Sequence, residues 1–420
     1  MGELQYTDVF VPGGFPRYTY NPRLSLKIEQ GVEEVIHNLC KLVTVTGHTK
    51  SGKTVLVQKV LPREEAVWVD GGAVGEQDDF WNVILEQLDL FQTTETESAK
   101  EDTTGLAASV GASTNILVAK GEAEVSGTLG IRRSTGAARS RTVSSKVAAL
   151  GGLRRESRAL VVDDFHYLPR QIQGELIRAL KPLIFDGVPV VIIAIPHRRY
   201  DAIKVEKEMT GRILPLEIPS WSEDELRYIP DTGFSLLNTK LDEGILARLT
   251  AESIGSPHLM QDFCRGVCRA SQVMGNMGGR DIALSESDIE CIFNDIAETI
   301  GRPIFDKLAK GPRQRSDRLQ RTLKTGTQVD IYGLVLHALA RLRPGLVTLE
   351  YEDLRKAIRE ISAETIPQLQ EVARVLKHMS AIAATDQSST PVIDFDEEEK
   401  RLHVTDPFFA FYLRWGKIEI

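Results

Sequence analysis

Five short apolar runs punctuate the first half of the chain: LVTVT at 42–46, AVWVD at 66–70, ALVVD at 159–163, PVVIIAI at 189–195 and ILPLEI at 213–218. Each is rich in Val, Ile or Leu and nearly unbroken by polar residues. Runs of this kind read as strands buried on both faces. The stretches between them carry helical spacing. Strands alternating with helices predict an α/β fold with a parallel five-stranded sheet covered on both sides. A ligand is then expected beyond the carboxyl ends of the strands.

The second half changes period. Residues 222–300 are helix-rich: Ser222 with Glu225 three places on is a capping pattern, and 244–253 and 259–274 have helical spacing. Cys264 and Cys268, four apart on one helix face, read as core thiols rather than metal ligands. In the tail, 331–342, 351–361 and 367–379 predict three helices. Residues 391–395 and 401–404 predict two strands around the acidic run 394–399, and an aromatic helix follows at 406–415. That order predicts a winged helix, with 367–379 in the recognition place. This helix offers Arg374, Lys377 and His378 but also Glu371, and an acidic wing repels phosphate. Nucleic-acid contact and a packing or oligomer role both stay open.

Residues 92–147 interrupt the strand–helix alternation with a Ser-, Thr-, Gly- and Ala-rich insertion. Alternating apolar positions either side of Lys120-Gly121-Glu122 predict a β-hairpin. It reads as a surface hairpin, as a hairpin pairing with a neighbouring subunit, or as a short membrane-inserting one.

Composition narrows the classes. Charged residues make up 26% and the formal net charge is −8, which argues against a chain basic throughout. Positive charge is nonetheless segregated. Eight Lys and Arg face the single acidic Glu156 over 132–158, and eight face Asp306 and Asp317 over 302–324. Both stretches are candidate nucleic-acid contacts, or solvated faces and sites for acidic protein partners. Four scattered cysteines fit a reducing cytoplasm rather than a disulfide framework. The start lacks a leader pattern, and no apolar run approaches the roughly 18 residues of a membrane helix.

The chemistry concentrates in GHTKSGKT, from Gly47 to Thr54, which matches G-x-x-x-x-G-K-[ST] between a predicted strand and a predicted helix. This is the setting of a phosphate-binding P-loop. Gly47 and Gly52 let the backbone curl so that N–H groups of His48, Thr49, Lys50, Ser51 and Val55 can face phosphate oxygens. Lys53 supplies a charge near the β- and γ-phosphates, and Thr54 offers a hydroxyl to Mg²⁺. The 159–163 strand ends in Asp163, expected to hold Mg²⁺, and Asp164, expected to orient water.

With these motifs the chain resembles the AAA+/STAND branch of P-loop ATPases. More narrowly it resembles compact ATPases that end in a winged helix, near origin-recognition and archaeal-type STAND ATPases. The resemblance covers most of the chain outside 92–147. It implies ATP and Mg²⁺ as ligands; the absence of a GTPase-type N-K-x-D motif agrees. It places a γ-phosphate sensor at the end of the fourth strand, where His197 and Arg198 stand instead of the usual Asn, Ser or Thr. It places an arginine finger before the fifth strand, at Arg212. Gly255-Ser256-Pro257-His258 resembles the G-x-P motif of STAND proteins, with Pro257 near the base or ribose and His258 near a second sensor. Tyr20, Asn21, Pro22 and Arg23 are expected to line the adenine pocket. Asp164 stands where many hydrolytic relatives carry Glu, which implies slow, switch-like hydrolysis.

The resulting expectation is an ATPase core over 1–220 with the 92–147 insertion, a helical lid over 221–300, a basic linker over 301–328 and a winged helix over 329–420. The chain is expected to be a Mg²⁺-dependent ATPase switch that oligomerises and signals to protein partners, as in a bacterial defence or signalling system. The alternative is a DNA-loaded AAA+ regulator of replication or transposition type.

Overall fold

A computed structural model of the chain describes residues 4–37, 40–90, 144–195, 209, 211–276, 281–312, 318–385 and 391–418. All five expected strands form, each within one residue of its expected ends: β1 Leu42–Gly47, β2 Val67–Asp70, β3 Leu160–Asp163, β4 Val190–Ala194 and β5 Ile213–Ile218. They pair in parallel, in the order β2-β3-β4-β1-β5. The chain is therefore an α/β protein built on a five-stranded parallel sheet.

Side-chain alternation explains why these runs are apolar throughout. Val67, Val69, Leu160, Val162, Val190 and Ile192 enter one core with the helices Gln77–Gln87, Ser145–Glu156 and Arg170–Phe185. Trp68, Val161, Val191, Ile193, Val43 and Val45 enter another, with Leu56, Val57, Ile28 and Val32. Both faces of the central strands are covered, so polar positions there are few: Thr44 and Thr46 of β1 are buried, whereas Pro215 and Glu217 of the edge strand β5 are exposed.

The helical region is less self-contained than a separate lid over 221–300. Its core joins the helices Glu223–Leu236, Pro257–Ala270 and Glu286–Ile300 to Val9 and Phe10 at one end of the chain and Phe411 and Tyr412 at the other. Phe263, Phe293 and Phe411 form a ring cluster with centroids 4.8, 5.0 and 5.7 Å apart. The expected linker is also more ordered than a linker. Arg302–Lys310 is a helix whose Leu308 is fully buried in the C-terminal core, and Arg321–Thr322 pairs with Gln328–Val329. The basic residues there distracted from its one apolar face.

The tail keeps the expected order of helices and strands: Ile331–Leu342, Tyr351–Ile361, Leu369–Thr385, Ile393–Asp396, Arg401–Val404 and Pro407–Trp415. The third helix starts two residues later than expected and runs six further. A strand absent from the sequence reading, Thr348–Glu350, pairs antiparallel with Arg401–Val404, making a three-stranded sheet. The predicted hairpin over 104–131 lies outside the described residues. The insertion is shorter at its far end than expected, because Ser144 caps a helix starting at Ser145.

Two glycines in helices make opposite predictions. A Cβ at Gly233 would collide with Cε1 and Cζ of Phe10, whereas one at Gly151 meets nothing within 4 Å. Gly233→Ala is expected to destabilise by about 1–3 kcal/mol through overpacking. Gly151→Ala is expected to stabilise by about 0.5–1 kcal/mol through helix propensity and lost unfolded-state freedom. Urea unfolding of both variants checks this; a Gly233→Ala protein as stable as Gly151→Ala refutes it.

Candidate functional site

The loop 47–52 joins the end of β1 to the helix Lys53–Val60. Gly52 sits at φ +88° as the N-cap of that helix, and Lys50 at φ +61° turns the loop back over the strand end. A Cβ at Gly47 would stand 2.9 Å from the Ile218 carbonyl and 3.1 Å from Ser51 Oγ, so the loop packs flat against the end of β5. The helix N-terminus therefore points its free N–H groups along the loop, an arrangement suited to an anion. Lys53 Nζ donates to the carbonyls of Gly47 (3.0 Å) and His48 (2.8 Å).

β3 delivers the acids. Thr54 Oγ1 donates to Asp163 Oδ1 at 3.2 Å, and Asp163 Oδ1 also accepts from the Asp164 N–H at 2.9 Å. Asp164 lies in the left-handed region at φ +49°. Its backbone presses against the segment after β2: a Cβ at Gly71 would stand 2.5 Å from the Asp164 carbonyl oxygen. Gln173 fixes the following turn by donating to the carbonyls of Phe165 (3.3 Å) and Leu168 (2.8 Å). Thr54 and Asp163 supply hard oxygen donors on one side only. That fits a Mg²⁺ ion, which keeps several waters and takes its other ligands from phosphate.

The ionisable groups are held away from their preferred states. Burial pulls Lys53 down to about 8, against the opposing fields of Asp164 and Asp163. Burial, then the Asp163 and Asp70 charges, push Asp164 up to about 6, and burial raises Asp163 too. Such clustering is a mark of functional sites.

Beside the loop lies a cavity of about 710 Å³, within the usual range for small-molecule sites. Thr49 to Leu56, Asp164, Pro257 and His258 line it, as does the segment containing Tyr20, Asn21 and Arg23. The structure thus gathers the loop, the second acid, Pro257, His258 and Arg23 around one space. Pro257 is the first residue of its helix, whose N-cap is Ser256. Burial, then the Lys50 charge, push His258 down to about 4, so its ring is neutral at physiological pH. His197 and Arg198 lie outside the described residues.

Of two other expected residues, one is already engaged and one stands at the opposite rim of the sheet. Arg23 lines the cavity, but its guanidinium is engaged: Nε and Nη2 donate to Glu225, Nη1 to the Pro219 carbonyl and Nη2 also to the Ser220 carbonyl. Glu225 in turn accepts from the Ser222 N–H to cap its helix. Arg23 is a buried clamp between the chain start and the end of β5, on the wall of the cavity. Arg212 immediately precedes β5, six residues upstream of the Gly47 row, about 20 Å at strand rise. It cannot reach the loop of its own chain.

Three groups lacked any local signal in the sequence. The Trp221 indole N–H donates to the Ser51 carbonyl at 2.9 Å, and the Arg23 guanidinium lies over the Trp221 ring at 4.8 Å. Gln261 accepts from the Val11 N–H (3.0 Å) and donates to Thr19 Oγ1 (2.8 Å), tying the chain start to the helix Pro257–Ala270. Phe408, from the far end of the chain, packs edge-on against His258 at 4.9 Å and beneath the Lys50 ammonium at 5.4 Å.

A pH prediction follows from Asp164. Its raised value means that the folded chain holds a proton that the unfolded chain, at 3.8, has released. Stability is therefore lost as pH rises towards and through about 6. Asp164→Asn removes that cost. It is expected to be more stable than the parent at about pH 7.5 by about 1 kcal/mol, partial exposure allowed for. The gain should shrink at about pH 5. Denaturant unfolding at the two pH values tests this; a gain independent of pH refutes it.

No family model matches the chain. A curated relative is the Holliday junction branch migration complex subunit RuvB of Phytoplasma mali (strain AT), 27% identical over 200 residues. The match covers 43% of this chain and spans 59% of that relative's length. Among solved structures, the chain is similar to the Walker-type ATPase PABY2304 of Pyrococcus abyssi, at 14% identity and a TM-score of 0.49, covering 92% of this chain and 94% of that one. It is similar to the Aeropyrum pernix ORC2 protein in ADPNP–ADP complexes, at 14% identity and a TM-score of 0.49, with 98% and 96% covered. It is also similar to the Thermotoga maritima RuvB Holliday junction branch migration motor, at 12% identity and a TM-score of 0.39, with 90% and 91% covered.

Proposed function

We propose that the cavity binds ATP with Mg²⁺, that the chain hydrolyses it slowly, and that nucleotide state switches its assembly and its contact with protein partners. The observation that carries the reading is the convergence of Lys53, Thr54 and Asp164 on one cavity, with Asp163 bonded to Thr54 and Asp164 behind them. On binding, Lys53 leaves the Gly47 and His48 carbonyls for the β- and γ-phosphates, and the N–H groups of the loop take the remaining oxygens. Thr54 and Asp163 would hold Mg²⁺, and the ion would supply positive charge to the phosphates there. Asp164 orients the attacking water; one methylene shorter than Glu, it reaches less far. The base lies towards the apolar end, between Ile28, Leu56, Ile218 and Trp221. Pro257 and His258 wall the lid side, with His258 a neutral contact rather than a cation. Arg212 serves a neighbouring copy's phosphate, because its own site is out of reach.

Within this reading the chain divides into an ATPase core, a helical lid and a winged helix, and acts in a cytoplasmic signalling or defence system through a separately encoded partner. The nucleic-acid alternative has less support from the described residues. Arg302, Arg318, Arg321 and Lys377 each already face a carboxylate. The residues 132–143 of the first basic stretch lie outside the described residues.

Lys53→Ala is expected to weaken binding of a fluorescent ATP analogue by about 10- to 100-fold. Asp164→Asn is expected to keep binding while turnover falls by about 100-fold. Equilibrium titration and phosphate release measure the two. Unaltered nucleotide-dependent assembly in Lys53→Ala would sink the switch.

A further inference from the structure

Phe185 is a conspicuous surface residue. It ends the helix Arg170–Phe185 and is 64% exposed, so it contributes little to the core of its own chain. The Arg212 guanidinium lies over its ring, 5.3 Å from the centroid. Among the described residues Arg212 has no carboxylate partner, and the nearest acid in sequence to Phe185, Asp186, is bonded to Arg154 at 2.8 Å. The Arg212 backbone is fixed from both sides. Its N–H donates to the Met209 carbonyl at 2.9 Å across a turn with Gly211 at φ +84°, and its carbonyl accepts from the Leu42 N–H at 2.8 Å. Only the side chain is left to be oriented, and among the described residues the group that orients it is the Phe185 ring. A cation stacked on an aromatic face keeps its charge available at the guanidinium edge, unlike one neutralised by a carboxylate.

We propose that Phe185 is a positioning residue for Arg212, and that the pair forms the donor face of a contact with a second copy of this chain. The inference rests on the reading of Arg212 as acting across a subunit boundary. Charge identifies the occupant. Arg212 stands at the amino-terminal rim of the sheet, about 20 Å from its own phosphate loop. The Asp164 carboxylate lines the cavity at the opposite rim, and the phosphates of a bound nucleotide would add the rest of the complementary charge there. One copy's rim can therefore serve another's site, and Phe185 then exchanges water for the neighbour's surface. Loss of water around the pair strengthens the stack.

Complementation by mixing separates the two claims. Arg212→Ala retains a working phosphate loop but lacks the donor. Lys53→Ala lacks the loop but retains the donor. Mixed, they are expected to recover ATP turnover that neither has alone. A Lys53→Ala/Phe185→Ala donor is expected to recover about tenfold less than Lys53→Ala, the scale of one desolvated cation–π contact. A Lys53→Ala/Phe185→Trp donor is expected to restore the difference. Phe185→Ala alone should bind a fluorescent ATP analogue as the parent does, which a merely structural loss would not allow. Equal recovery with the Lys53→Ala and Lys53→Ala/Phe185→Ala donors overturns the role of Phe185 and leaves Arg212 standing. No recovery with Lys53→Ala overturns Arg212 across the boundary, and Phe185 with it. Loss of analogue binding in Phe185→Ala also overturns the proposal.

Discussion

The register of β1, β4 and β3 governs the candidate site. Leu42 and Leu160 both align with Val190, so Val45 and Asp163 lie three residues further along in equivalent rows. β1 runs on to Gly47 before the loop turns back. The helix that follows returns Thr54 to the level of Asp163, and the two side chains meet at 3.2 Å across the intervening strand. A slip of one residue in either pairing would turn Asp163 to the other face of the sheet. The apolar alternation that fills both cores forbids that slip, so the chemistry inherits its geometry from packing.

The site works against the stability of the fold that holds it. Asp163 is buried, Lys53 and Asp164 are half-buried, and the charged forms of all three are disfavoured, while Lys50 and Asp164 occupy left-handed backbone without being glycine. Left-handed backbone at a non-glycine residue costs about 1–3 kcal/mol and survives where neighbours over-determine it. Here the neighbours are identifiable: Gly71 admits the Asp164 backbone, Gln173 holds the turn after it, and Trp221 holds the loop from the side of β5. A polyphosphate with its metal would relieve the electrostatic part, which links ligand binding to the shape of the loop.

The cavity is a composite of distant segments. The chain start, tied down by Gln261, contributes Tyr20, Asn21 and Arg23, the helix Pro257–Ala270 contributes Pro257 and His258, and the last helix contributes Phe408. These segments share one aromatic core around Phe263, Phe293 and Phe411. Motion of any of them therefore changes the cavity as well as the packing, which is the physical basis for coupling occupancy to conformation.

Most of the fold was legible because it is written in local terms. Strand runs of unbroken Val and Ile, the Ser222 cap, the helix-starting Pro257 and the glycines of the loop 47–52 each act within a few residues, where period and backbone freedom decide. The same holds for Lys53, Thr54, Asp163 and Asp164, which sit at fixed offsets from strand ends. Other assignments needed contacts hundreds of residues apart. Arg23 read as a pocket residue and does line the cavity, but its second part as a clamp had no local signal, because Glu225 and two carbonyls after β5 reach it only in the folded chain. Trp221, Gln261 and Phe408 gave no signal, since an isolated Trp, Gln or Phe reads as ordinary core. The sequence by itself determined which elements form and which residues carry charge to the strand ends. The tertiary structure decided which polar groups are already paired and which remain for a ligand, because hydrogen-bond partners and burial depend on packing across the whole chain.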